Sequence, residues 1–212
     1  MNEYHKINSI FMRDMDKPGS PFIAGKYAAA EIEYLKNNRW EWTEKVDGTN
    51  IRIMYVGGAV SFGGKTDRAE IPAHLFKKLT ETFNNDNMKQ AFGETDVCLY
   101  GEGFGYKIQG KVGIDYLKDK VDFYLFDVRI GDWWLKREDV AGIAEKLGLL
   151  APVVVGYGTI DEAIEVVKRG FKSAFGTADA EGLVLRPTVE LLSRGGERII
   201  TKVKARDFKE GN

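Results

Sequence analysis

One cysteine, Cys98, among 212 residues leaves the chain without an intrachain disulfide or a cysteine-based metal cluster, a usage that fits a reducing compartment. With only two histidines, His5 and His74, a zinc site lacks its usual ligands. Net charge is nearly missing as well. The 31 Lys+Arg and 32 Asp+Glu leave -1 at pH 7, which argues against a blanket electrostatic binder of nucleic acid or anionic membrane, so any polyanion must be met by a local patch. Long apolar runs are absent too: the longest, residues 147–157, is broken by Gly148, Pro152 and Gly156 and is too short to span a bilayer. Residues 1–11 mix Glu3, His5 and Lys6 with apolar side chains and lack the apolar core of a signal peptide. No internal repeat, low-complexity run or Pro/Gly/Ser linker divides the chain. The expectation is one cytoplasmic domain, residues 1–212, whose 43% apolar residues can build a sizeable core.

Hydrophobic periodicity places the elements. Residues 24–36 are Ala-rich, with Tyr27, Ile32 and Leu35 on one face, and predict a helix that stops at Asn37-Asn38. Residues 40–45 and 49–56 alternate and are rich in β-branched side chains, and Gly57-Gly58 joins the second run to residues 59–62 as a hairpin. Pro72 opens an amphipathic helix carrying Leu75, Phe76, Leu79 and Phe83. Strands are predicted over 96–104 and 121–130, the latter turning at Gly131-Asp132 into Trp133-Trp134-Leu135. Residues 137–147 have helical spacing ended by Gly148, and Thr159 with Glu162 forms a capping box for a helix that ends at Gly170. Strands over 182–186 and 198–203 complete an α+β chain dominated by antiparallel strands. The four tryptophans read as packing residues, His74 as a surface residue and Cys98 as a small buried hydrophobe.

Several residues stand out chemically. Lys45 ends a predicted strand in Glu44-Lys45-Val46-Asp47-Gly48-Thr49-Asn50. Read alone this is a common Asp-Gly turn, but a lysine fixed there and flanked by cations or desolvated can act as a nucleophile. Lys202 and Lys204 lie two apart in a strand and so share a face, either as the solubilising outer face of an edge strand or as a phosphate-facing pair near Glu181. Glu102, Asp127 and Glu181 each stand in or beside an apolar strand; taken singly each reads as a strand-end carboxylate facing water, since burial would require a partner, ligand or metal. Glycine, 24 of 212, flanks Glu102 and lets a ligand approach the backbone. Lys107, Lys111, Lys118 and Lys120, interleaved with Tyr106 and Tyr116, form the best candidate patch for a nucleic-acid strand.

In their order and spacing, Lys45 in Lys-x-Asp-Gly, Glu102 in Tyr-Gly-Glu, Phe126-Asp127, Glu181-Gly-Leu-Val and Lys202-Val-Lys204 resemble the five signature motifs of the covalent nucleotidyltransferases, the polynucleotide ligases and mRNA capping enzymes. The resemblance covers residues 40–208 and is nearest to ATP-dependent RNA ligases, because Glu44 precedes the lysine, Thr49-Asn50 follows it, and Gly64-Lys65-Thr66-Asp67-Arg68-Ala69 occupies the next motif's place. The family implies antiparallel sheets flanked by helices with an ATP site between them. It implies that Lys45 attacks the α-phosphate of ATP to form lysyl-AMP. Lys202 and Lys204 would grip that phosphate, Glu102 the ribose and Phe126 the adenine, with Glu44, Asn50 and Lys65 also on the nucleotide; Glu181 and Asp127 would organise Mg²⁺ or Mn²⁺. The implied reaction joins a 3'-hydroxyl to a 5'-phosphate in RNA ends or a nicked duplex. A minimal DNA ligase, a capping-type guanylyltransferase or a catalytically idle nucleotide- or RNA-binding module are the alternatives. Lys65 stands where ligases often carry arginine. With only eight residues after Lys204, a minimal catalytic domain is expected, with no appended C-terminal domain and room for a partner protein to supply one.

Overall fold

The computed structural model describes residues 3–208. In chain order the elements are β1 (Asn8–Ser9), β2 (Phe11–Arg13), β3 (Phe22–Tyr27), α1 (Ala30–Leu35), β4 (Trp40–Lys45), β5 (Thr49–Val56), β6 (Ala59–Gly63), α2 (Ala73–Thr82), α3 (Asn85–Phe92) and β7 (Val97–Gly105). They continue with α4 (Lys111–Tyr116), β8 (Val121–Ile130), β9 (Trp133–Trp134), α5 (Arg137–Leu147), β10 (Val154–Gly158), α6 (Ile160–Arg169), β11 (Gly182–Pro187) and β12 (Thr201–Lys204). The described residues divide into two compact units, one of residues 3–5, 47–152 and 175–178, the other of 6–46, 153–174 and 179–208.

The first unit is an antiparallel sheet in the order β6-β5-β7-β8-β9. Strand alternation divides its side chains cleanly. Ile51, Ile53, Tyr55, Leu99, Phe123 and Leu125 face a core closed by Leu75 and Leu79 of α2, Met88 of α3 and Val140 and Ala144 of α5. The other face carries Asn50 and Arg52 from β5, Tyr100 and Glu102 from β7, and Tyr124 and Asp127 from β8, in two cross-strand rows: Asn50-Glu102-Tyr124 and Arg52-Tyr100-Asp127. A register shift opposite Tyr100-Gly101 makes Phe126 the extra residue of a β-bulge between those rows. Gly101 belongs to the core face, where a Cβ would strike the Phe123 ring and the Tyr124 carbonyl.

The second unit has a five-stranded sheet in the order β1-β12-β11-β4-β10, with β1 parallel to β12 and the other pairs antiparallel, and a small β2-β3 ladder. One face, with Trp40, Trp42, Leu183, Leu185 and Val203, is buried against Ile32 and Leu35 of α1 and Ile160, Ala163, Ile164 and Val167 of α6. The opposite face carries Thr43 and Lys45 of β4, Val184 and Arg186 of β11, and Lys202 and Lys204 of β12.

Most predicted elements are present, including the Thr159-Glu162 capping box and the left-handed Gly148 that ends α5. Three expectations are corrected. Residues 24–27 are strand, and the helix starts only at Ala30, because Phe11 packs against both Phe22 and Tyr27 and pulls the segment into the β2-β3 ladder. Strand β12 begins at Thr201, since residues 198–199 pair instead with the chain at Leu191 and Leu192, and it is flanked on both sides, so Lys202 and Lys204 are not on an edge strand. Trp133 is 76% exposed: on the two-residue edge strand β9 it alternates outward while Trp134 turns in beside Tyr100. Cys98 is buried and His74 exposed, as expected. No helix among the described residues is long and apolar enough to cross a membrane. Gly101→Ala overpacks the β7-β8 core and is expected to lower stability by about 1–3 kcal/mol, read as a fall in urea midpoint at unchanged slope.

Candidate active site

In the second unit the register of three neighbouring strands makes the site. Gly182, the first residue of β11, lies opposite Lys45 of β4 on one side and opposite Lys204 of β12 on the other. Glu181, one residue earlier, is therefore within reach of both ammonium groups: Oε2 meets Lys45 Nζ at 2.5 Å, and Oε1 meets Lys204 Nζ. The Glu181 carbonyl accepts from the Ala205 amide at 2.9 Å, which ties the same point to the end of β12. The side chains of Lys45, Glu181 and Lys204 are 19%, 12% and 15% exposed, so the cluster is recessed yet reachable. Burial alone would raise the Glu181 carboxyl, but the charges of Lys45 and Lys204 and their hydrogen bonds outweigh it and hold the group below its ordinary value of 4.5. Two lysines share this one carboxylate, an arrangement suited to an incoming anion. Lys202 is half-buried on the same face, opposite Val184.

Glu44 alternates to the other face of β4 and is 2% exposed. Its carboxylate accepts from Ser173 Oγ at 2.5 Å and from the Ala174 amide at 2.9 Å, and so anchors the segment leading towards Glu181. This anchoring role was not foreseen from the sequence.

In the first unit, Asn50 and Glu102 are direct cross-strand neighbours on the polar sheet face. Buried there without hydrogen-bond partners are Asn50 Oδ1 and Arg52 Nη1, an acceptor and a donor that fit a polar ligand on this face. Asp127 is fully buried and accepts from Tyr4 Oη at 2.6 Å; the bulged Phe126 meets the Tyr4 ring edge-on, with centroids 5.1 Å apart. Lys65 is exposed on the loop after β6. That loop is held by Arg52, 1% exposed, through Nε to the Gly64 carbonyl at 2.9 Å and Nη2 to Asp67 at 2.6 Å. Arg52 and Asp67 were missed from the sequence, although an arginine between Ile51 and Ile53 signals a buried charge with a task. Of the expected basic patch, Lys107, Lys111, Lys118 and Lys120 are exposed, but Tyr116 is 1% exposed and packs against Phe104, so it is no stacking platform.

Among the described residues no group of three or more His, Cys, Asp or Glu is arranged to hold a metal. Both Glu181 oxygens engage lysines, so a divalent cation fits only with phosphate oxygens completing its ligands, the usual habit of Mg²⁺ at nucleotide sites.

The RNA ligase family model matches residues 38–204. This chain belongs to the RNA ligase family. Its fold is similar to that of solved Naegleria gruberi RNA ligase chains. One lysine-to-alanine variant with ATP and Mn aligns at TM-score 0.65 and 17% identity over 84% of this chain and 52% of that one. A lysine-to-methionine variant with AMP and Mn gives TM-score 0.65 and 17% identity, covering 84% and 53%, and the form with PPi gives 0.62 and 19%, covering 84% and 52%. This RNA ligase family chain thus spans about half the length of those chains. No curated protein sequence matches it. The comparison bears out the expected antiparallel sheets flanked by helices.

Two outcomes follow from the ion pairs. Because the Glu181 carboxyl is lowered, its contribution to stability is present above 4.5 and is lost as pH falls through the folded-state value. In urea unfolding over a pH series, Glu181→Gln should lack that part of the acid loss. Asp67→Ala removes the carboxylate partner of the buried Arg52 guanidinium and should cost about 1–3 kcal/mol in the same measurement.

Proposed function

We propose that this chain performs the chemistry of an ATP-dependent RNA ligase, with Lys45 as the nucleophile. The observation that carries the reading is Glu181 holding Lys45 and Lys204 from the two strands beside it, in a chain that matches the RNA ligase family. Lys45 Nζ attacks the α-phosphorus of ATP, the N–P bond forms as the bond to the β-phosphate oxygen breaks, and pyrophosphate leaves. The amine must first lose its proton to solvent; until then Glu181 Oε2 at 2.5 Å holds the ammonium in place. Lys204, with Lys202 on the same face, neutralises charge on the α-phosphate oxygens as the attacking and leaving atoms come into line.

The remaining roles are assigned by the family motifs. Glu102 and Asn50 take the ribose side, where the unpartnered Asn50 Oδ1 supports the reading, and Phe126 takes the adenine. Glu44 serves the nucleotide through the Ser173-Ala174 segment that it anchors, and Lys65 through the loop that Arg52 holds. Magnesium or manganese, for which the family motifs offer the carboxylates Glu181 and Asp127, would supply charge neutralisation at the phosphates when bound. The chain serves as an adenylylation domain. After transfer of AMP from Lys45 to a 5'-phosphate, the 3'-hydroxyl attacks that 5'-phosphorus, the bond to AMP breaks and AMP leaves as the strand is sealed; RNA ends or nicks are the proposed substrates. The buried free thiol of Cys98 fits the cytoplasm as the site of action.

The test is sealing of a 5'-phosphorylated nick with ATP and Mg²⁺, with RNA or DNA on the 3'-hydroxyl side. Joining that requires RNA there supports the proposal, and equal joining of all-DNA nicks makes the chain a minimal DNA ligase instead. Lys45→Ala should reduce sealing below about a thousandth of the wild-type rate.

A further inference from the structure

Two residues other than glycine in one short loop hold left-handed backbone: Lys107 at φ 59° and Gln109 at φ 55°. Such conformations are unfavourable for a residue with a Cβ and persist where the surroundings impose them. Here the surroundings are plain. Tyr106 donates its amide to the Lys120 carbonyl at 2.7 Å and its carbonyl contacts His74 Nε2 at 2.9 Å. Ile108, between the two strained residues, is buried in the core and donates to the Gly105 carbonyl at 2.9 Å.

The strained geometry aims Gln109 at one place. Its Nε2 donates to the carbonyl of Gly48 at 2.9 Å. From α4, which follows directly, the Tyr116 hydroxyl accepts from the Asp47 amide at 3.1 Å, and the Tyr116 ring is fixed by burial against Phe104. Asp47-Gly48 is the turn that follows Lys45 with only Val46 intervening. The turn also lies too close to β7 for any side chain at position 48, where a Cβ would stand 2.8 Å from Glu102 Cγ and 3.1 Å from Phe104 Cβ. Backbone groups of two successive residues of this turn are thus bonded by one loop-helix segment, and a third contact presses the turn against the strand of Glu102.

We propose that residues 106–116 form a clamp on the turn behind the nucleophile, with Gln109 and Tyr116 as positioning residues for Lys45. The inference rests on the ligase reading above. Lys45 is the last residue of β4, paired to Gly182; beyond it the ladder gives no hold, so the Asp47-Gly48 turn two peptide links away limits fraying of this strand end, and in-line attack on phosphorus tolerates little of it. The clamp restricts the attacking group without touching ATP, so its loss is felt in the rate of N–P bond formation rather than in nucleotide affinity.

The test is the single-turnover rate of lysyl-AMP formation from labelled ATP and Mg²⁺, measured across ATP concentration. Gln109→Glu keeps size but replaces the donor with an acceptor facing the Gly48 carbonyl; Tyr116→Phe keeps the ring and removes the hydroxyl. Each is expected to slow the maximal rate by about tenfold to a hundredfold, with the half-saturating ATP concentration changed less than about threefold. For Gln109→Glu the ratio to wild type should recover as pH falls and the new carboxyl, once protonated, donates again. An unchanged maximal rate, a loss confined to ATP affinity, or a Gln109→Glu deficit independent of pH would overturn the clamp. If wild type itself forms no lysyl-AMP, the ligase reading falls first and the clamp with it.

Discussion

The bond between one carboxylate and two lysines organises everything proposed for this chain. Glu181 sits where β11 begins, and the antiparallel register on both its sides brings Lys45 and Lys204 level with its neighbour Gly182. Neither lysine could be held there without the sheet, because each comes from a different strand and Lys204 is 159 residues beyond Lys45 in sequence. The pairing also sets the chemistry. It keeps two ammonium groups apart and oriented in a recessed site and leaves the carboxylate well short of cancelling them, so a phosphate can complete the charge balance that the protein alone does not.

A second constraint is the division of labour between the two faces of each sheet. In the first unit every even position of β5 from Asn50 to Arg52, and their partners on β7 and β8, face away from the core. A polar face this well buried is costly unless something uses it, and the unpartnered Asn50 Oδ1 and Arg52 Nη1 mark where that cost is concentrated. The second unit repeats the scheme, with tryptophans and leucines on the helix-covered face and lysines on the other. The same period-two alternation therefore builds both core and site.

That alternation is why much of the fold could be read in advance. The β5-β6 hairpin, the capped helix α6 and the paired strands around Glu181 all carry local signals, and the motif residues fall on them. What escaped depends on distant contacts. Residues 24–27 sit next to the Ala-rich run that starts the helix, and pairing with β2 together with the contacts of Phe11 to Phe22 and Tyr27 makes them a strand. Helix α4 has six residues and buries only Gly113 and Tyr116, too few to show a period. Arg52 and Asp67 are unremarkable apart and become a clasp only when the β5-β6 hairpin turns one strand back along the other. The tasks of Glu44 and Gln109 likewise belong to backbone groups 130 and 61 residues away in sequence.

The central claim is that Lys45, held by Glu181, is the residue that bonds to phosphorus. Peptide mass spectrometry of the chain after incubation with ATP and Mg²⁺ tests it most directly. An adenylyl group on the peptide containing Lys45, absent when ATP is replaced by AMP, is the result the account requires. An adenylyl group on Lys202, Lys204 or any other residue, with Lys45 unmodified, would contradict it.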